Sequence, residues 1–357
     1  MKLTPARRTT MKVNTLKSCV SKLVRHMGGA YAALLACAIL ASAGPGARPA
    51  FAQAAPGSSD SAIRICVVVP HFKDEYWLSV AYGLQLEAER TGAELWMFES
   101  GGYHALARQL ELLDVCRERQ ADVILIGAVS ANDPKILFAV ESLSGTIPVL
   151  ALVNELRSPN LAGAVGVNWR EMGGHIGAFL FDRHPAGTEP ATAVLISGPA
   201  ESGWAPLVES GLLAAIEGSA VRVVDIRRAD TGLREQMREV EDALADRPEV
   251  DYVIGSAPAV EAAMGLLNGW AQADRPALVA TYISHSIRRG MGNGSVLAVP
   301  FDNPVLQGQL GVRMAIEAAS GRTWSEMVGP EIKLLVASDI PMQQISLSPA
   351  GFLPMIE

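Results

Sequence analysis

Aromatic side chains that follow strand ends carry the most readable chemistry in this 357-residue sequence. Tyr76, Trp77, Tyr103, Trp169, Trp204 and Tyr282 all sit just past segments that read as β-strands. In open parallel sheets, ligands bind beyond the carboxyl ends of the strands, so rings recurring there can converge on one molecule. Ring faces carry a negative quadrupole and attract bulky, weakly hydrated ammonium groups, each desolvated contact contributing ~0.5–2 kcal/mol. Three or four such faces would hold a very small cation without any carboxylate. Sugars also stack on aromatics, but they need Asp, Asn and Arg around their hydroxyls. The residues alone leave both ligands open. Trp77, Trp169 and Tyr282 come from separate units and read as cleft residues. Tyr103 fits a cleft or a packing role, and Trp204 reads better as packing against a neighbouring lobe.

Signatures of catalysis are missing from the sequence. There is no Gly-x-x-x-x-Gly-Lys phosphate loop, no Gly-x-Ser-x-Gly elbow and no His-Glu-x-x-His. The glycines at 290, 292 and 294 precede a strand where a dinucleotide fingerprint would follow one, so they read as a turn. His71 and His285 fall near strand ends and read as loop histidines. No Cys/His spacing suggests a metal, and no cofactor is expected. The expectation is a binding protein, not an enzyme.

The elements that must position the rings alternate regularly. Ile63–Val69 reads as a strand and Glu75–Gly92 as a helix with Asp74 as its N-cap. Further strand–helix units follow as far as the strand Thr146–Val153. The pattern then restarts at Gly163–Val167 and the helix capped by Asn168. Alternation of this kind predicts an α/β fold of two doubly wound parallel-sheet lobes joined by a hinge. The expected N-terminal lobe is 62–155 with 301–322, the C-terminal lobe 160–298 with 330–340, and 341–357 is a tail. Crossings between lobes are expected in the polar stretch 154–160 and near 300–304.

Apolar residues make up 49% of the chain and charged residues 19%, which is enough for a sizeable core. A net charge of -7 argues against a nucleic-acid binder. Seven Lys and Arg residues precede an apolar run from Gly28 to Ala43, and Ala50-Phe51-Ala52 offers a small-x-small cleavage site. Residues 1–52 therefore read as a secretory signal peptide delivering the chain to the periplasm, with an uncleaved anchor as the rival. Cleavage would leave Cys66 and Cys116. They read as two buried free thiols, with a disulfide possible in an oxidising compartment.

Several stretches also carry a resemblance. Pro70 to Val80 (Pro-His-Phe-Lys-Asp-Glu-Tyr-Trp-Leu-Ser-Val), Glu99 to Tyr103, Val165 to Trp169, Asp251 to Ala257 and Tyr282 to His285 resemble the type I periplasmic binding protein superfamily. Within it, they resemble members that detect trimethylamine N-oxide for a sensor histidine kinase. The resemblance implies an aromatic cage for the trimethylammonium group, walled by Trp77, Trp169 and Tyr282, with Tyr76 and Tyr103 as further members. It adds Asp302 as a cleft-side candidate. A backbone N–H or a water near Tyr76 would meet the ligand oxygen. The implied partner is the periplasmic domain of the kinase. The alternative is a solute receptor of an ABC transporter for a sugar or a quaternary amine.

Overall fold

The computed structural model describes residues 62–337 and 345–357. The expected signal peptide, residues 1–52, lies outside the described residues.

The first sheet is parallel and runs in the order β11-β5-β4-β3-β1-β2, with β1 Arg64–Val69, β2 Glu94–Glu99, β3 Val123–Ile126, β4 Val149–Val153, β5 Gly163–Gly166 and β11 Met327–Val328. Its central strands are Val, Ile and Leu almost throughout and are buried on both faces. Only a sheet covered by helices on both sides accommodates such runs. The flanking helices are α1 Glu75–Thr91, α2 Leu106–Glu118, α3 Pro134–Ser144 and α9 Pro304–Ala319. α1 is defined at both ends. Asp74 accepts the Tyr76 N–H at its start, and Gly92 closes it at φ 74, a conformation that suits glycine. Gly83 and Gly308 let α1 and α9 touch backbone to backbone; a Cβ at either would collide with a carbonyl of the other helix.

The second sheet is ordered β12-β10-β9-β8-β6-β7, with β6 Ala191–Ser197, β7 Val221–Arg228, β8 Tyr252–Gly255, β9 Ala277–Ala280, β10 Val296–Phe301 and β12 Lys333–Val336. It is parallel except that β12 runs antiparallel to β10. Helices α4 Trp169–Arg183, α5 Ala205–Ala215, α6 Leu233–Asp246, α7 Ala257–Leu266 and α8 His285–Gly292 belong to this lobe. The expected architecture of two α/β lobes is thus the observed one.

Two details differ from the sequence reading. β5 pairs with β4 in the first sheet, so the boundary expected at residue 160 falls later, and the chain changes lobe between Gly166 and Trp169. A parallel neighbour normally requires a long helical crossover. Here residues 154–162 connect the pair without a helix, and a short polar stretch with Pro159 looked like a change of lobe. The second difference is that Cys66 and Cys116 form a disulfide, with Cα atoms 5.8 Å apart. It ties β1 to α2 across the interior of the first lobe.

Of the expected tail, residues 345–357 lie across both lobes. Ser348 hydrogen-bonds His285 of α8 and the Ser79 hydroxyl of α1, and the Glu357 N–H donates to the Met97 carbonyl of edge strand β2.

Candidate functional site

The lobes meet around a small, nearly closed hollow with a cavity volume of about 10 Å³. Each lobe contributes rings from the carboxyl ends of its strands. α1 begins just beyond β1 and supplies Tyr76 and Trp77. Tyr103 follows β2, and Trp169 opens α4 at the crossing after β5. From the second lobe come Trp204, ahead of α5, and Tyr282, after β9. All are buried. Ring centres lie 5.3 Å apart for Tyr76 and Tyr282, 6.3 Å for Tyr76 and Trp169, and 6.5 Å for Trp169 and Tyr282. Most of these pairs are tilted or edge-to-face, the arrangement aromatic quadrupoles prefer.

Trp77, Trp169, Tyr282, Tyr76 and Tyr103 therefore share one hollow. Asp302 does not line it. That carboxylate lies between β10 and α9, where the chain crosses back, and its Oδ2 accepts the Tyr76 hydroxyl at 2.6 Å. Gln307 Nε2 donates to the same Oδ2 at 2.8 Å and holds it there. Asp302 thus fixes a wall of the hollow from behind.

Five lining residues, Asp74, Val153, Asn154, Trp204 and Thr231, were not among the site residues read from the sequence. Trp204 read better as packing against a neighbouring lobe; it also lines the hollow, its ring 5.7 Å from that of Trp169 and 5.5 Å from that of Tyr282. Its position after a strand end was the available signal. Asp74 was read only as a helix cap. Its Oδ1 caps α1 while Oδ2 accepts the Tyr282 hydroxyl at 2.6 Å. Asn154 was read as part of a crossover loop. Its amide instead donates to the Ala128 carbonyl and the Tyr103 hydroxyl oxygen.

The backbone at this point is strained. Val153 has φ 67, rare for a β-branched residue, and the Asn154 N–H closes a tight turn onto the Leu152 carbonyl at 2.7 Å. Such a conformation costs about 1–3 kcal/mol and concentrates at binding sites. It frees the Val153 carbonyl to accept the Trp169 indole N–H at 3.0 Å.

Electrostatics set the character of the hollow. Burial pushes the Asp74 carboxyl up to about 6, partly offset by the Tyr282 hydroxyl and the Tyr76 N–H. Burial raises Asp302 to about 6 as well, against the opposing bonds from Tyr76 and Gln307. Tyr76 and Tyr282 are driven well above the ordinary phenol range by burial and then by the neighbouring carboxylates. At neutral pH two carboxylates therefore stand behind two phenol rings. Their field adds to the negative faces of the rings, and the hollow suits a positively charged, apolar-surfaced group.

Contacts between lobes surround this point. Asp230, after β7, accepts the Tyr103 backbone N–H at 2.8 Å and lies 3.2 Å from the His71 ring. Burial works to raise Asp230, but the His71 hydrogen bond and charge, with the backbone N–H groups, bring it below the usual range. Glu75 accepts the Ser286 N–H at 2.8 Å. Among the described residues no group of three or more His, Cys, Asp or Glu side chains is placed to hold a metal ion.

Comparison with known proteins agrees with this architecture. A family model described as a periplasmic binding protein domain matches residues 65–323. The periplasmic protein TorT of Escherichia coli K12 is 37% identical over 302 residues, covering 84% of this chain and 86% of TorT. Among solved structures, a chain of the TorS sensor domain–TorT complex in the presence of TMAO matches with a TM-score of 0.73 and 34% identity, covering 82% of this chain and 99% of that one. An ABC transporter solute binding protein from Bradyrhizobium sp. BTAi1 with bound Bis-Tris matches with a TM-score of 0.68 and 34% identity, covering 84% and 90%. Proteins of this family bind ligands without transforming them. The chain therefore belongs to the periplasmic binding protein family, as a TorT-like member.

Proposed function

We propose that the protein binds trimethylamine N-oxide between its lobes and reports the ligand to the periplasmic domain of a sensor histidine kinase. The observation that carries this reading is the set of rings from both lobes around one hollow, with Asp74 and Asp302 behind Tyr282 and Tyr76. Trp77, Trp169, Tyr282, Tyr76 and Tyr103, joined by Trp204, take the methylated nitrogen. The structural kinship with TorT in complex with the TorS sensor domain supports the choice of ligand and of partner. Because the rings belong to different lobes, a ligand among them favours the closed arrangement. A ligand shifts such an equilibrium only by its differential affinity for the two states, and ligand and sensor must affect each other's binding by the same factor. The export signal at residues 1–52 fits delivery to the periplasm.

Calorimetry of the purified protein with trimethylamine N-oxide, betaine, choline and ribose tests the reading. Heat with the N-oxide is expected; heat with ribose alone would discard it. A second reading is a solute receptor of an ABC transporter for an amine, supported by the similar identity to the Bradyrhizobium protein. Co-purification with the sensor's periplasmic domain, strengthened or weakened by ligand, separates the two.

A further inference from the structure

Among the described residues the lobes are joined by three backbone crossings, at 167–168, 302–303 and 329–332. Crossings of this kind fix a pivot and leave the angle between lobes free to change. Residues 345–357 add a connection of a different kind, made by non-covalent contacts. The segment starts on the second lobe, where Arg288 of α8 donates to the Ile345 carbonyl at 3.4 Å. It ends on the first lobe. There the Phe352 ring meets Tyr82 of α1 edge-on at 5.2 Å, and Glu357 pairs with Arg119 at 2.8 Å beside its backbone bond to Met97.

Its middle is fastened to both lobes at once. The Ser348 N–H donates to Ser79 Oγ at 3.2 Å, and the Ser348 carbonyl accepts from His285 Nε2 at 2.8 Å. Ser79 lies one helical turn after Tyr76, and His285 three residues after Tyr282. One residue thus ties together the two elements that bring the rings of Tyr76 and Tyr282 to 5.3 Å. Glu75 reinforces the same junction: its Oε2 accepts the Ser286 N–H, and its Oε1 lies 4.0 Å from His285 Nδ1. Ser79, His285 and Ser348 are buried, as are Ile345 and Leu347, which join the main apolar core. A buried polar group that loses its partner is costly, so these bonds favour the one arrangement that makes them all. Opening the lobes separates Ser79 from His285, and Ser348 can then serve only one of them.

We infer that residues 345–357 form a strap that holds the lobes closed before any ligand arrives, with Ser348 as its fastening. The strap sets how much of the ligand-free protein is closed, and so how much of the equilibrium is left for a ligand or a partner to shift. A contact that draws the strap off the first lobe opens the cleft from outside the hollow. The inference concerns the lobes themselves and holds whichever ligand the hollow takes.

The test is a distance measurement between spin labels in the ligand-free protein, attached through Glu141→Cys on α3 and Glu241→Cys on α6. Both positions are exposed, and the native cysteines are bonded to each other. The labelled protein is compared with its Ser79→Ala variant and with a chain lacking residues 345–357, and thermal melting shows which are folded. One dominant distance is expected with the strap intact. A second distance, from the open arrangement, is expected to grow as the strap is weakened. Ser79→Ala should lower the ratio of closed to open protein about tenfold, and truncation about a hundredfold. A folded truncated protein with an unaltered distance distribution overturns the inference. Should truncation prevent folding, Ser79→Ala combined with Phe352→Ala loosens the strap at its middle and its end; an unaltered distribution in that variant overturns the inference equally.

Discussion

Trp169→Ala is the sharpest perturbation of the proposed site. Trp169 is 3% exposed, and its ring lies 5.7–6.5 Å from the centres of Trp204, Tyr76 and Tyr282. Removing it takes away one face of the cage at a desolvated position, where a cation–π contact is worth about 2 kcal/mol, or roughly 30-fold in affinity. The remaining rings would also no longer enclose the methyl groups, so about 30-fold is the smallest loss expected. Stability falls too. Truncation of a buried Trp typically costs about 3–5 kcal/mol, and here the Val153 carbonyl loses its donor next to an already strained turn. Trp169→Phe separates the two effects, since it keeps a ring face and loses the N–H. Calorimetry with trimethylamine N-oxide gives the affinities, and thermal melting of the same samples shows which variants are folded. The expected order is wild type, then Trp169→Phe with a several-fold loss, then Trp169→Ala. A folded Trp169→Ala protein that binds the N-oxide within threefold of wild type would refute the reasoning.

Two further predictions concern stability. Asp74 and Asp302 are raised to about 6 by burial, so between roughly pH 4 and 6 the folded state holds protons that the unfolded chain has released. Stability is therefore expected to fall as pH rises through this window and to level off above it, by on the order of 3 kcal/mol for each group. Glu87, held near 2 by Arg313 and Arg90, acts in the opposite sense only below its ordinary range. Urea unfolding at pH 4.5, 6 and 7.5 reads the slope, and Asp302→Asn should flatten it; a slope unchanged by that substitution contradicts the assignment. The Cys66–Cys116 bridge spans a sequence separation of 50, for which loop-closure entropy gives about 4 kcal/mol. Reduction with dithiothreitol should lower the unfolding midpoint accordingly, and an identical midpoint with and without reductant would show that the bridge does not stabilise the fold.

The sequence by itself determined the two-lobe architecture, because local patterns encode it. Apolar runs such as 65–69 and 123–126 can only be central strands, and Asp74, Asn168 and Gly92 mark helix ends through bonds to residues a few positions away. It also placed Trp77, Trp169 and Tyr282 past strand ends, and a parallel sheet brings all such ends to one side. Other features depend on contacts between residues distant in the chain, and only the tertiary structure decided them. The pairing of β5 with β4 is invisible in a Gly-Ala-Val-Gly segment that fits either lobe. Trp204 became a wall of the hollow because α5 docks on the second lobe facing Tyr282, some eighty positions later. Asp302 moved behind Tyr76 because Gln307, one turn into α9, holds it there. Asp74 could be read as a helix cap from its neighbours, but its bond to Tyr282 spans 208 residues. The hydrogen bonds that hold Tyr76 and Tyr282 in place are of this long-range kind, and no spacing along the chain announces them.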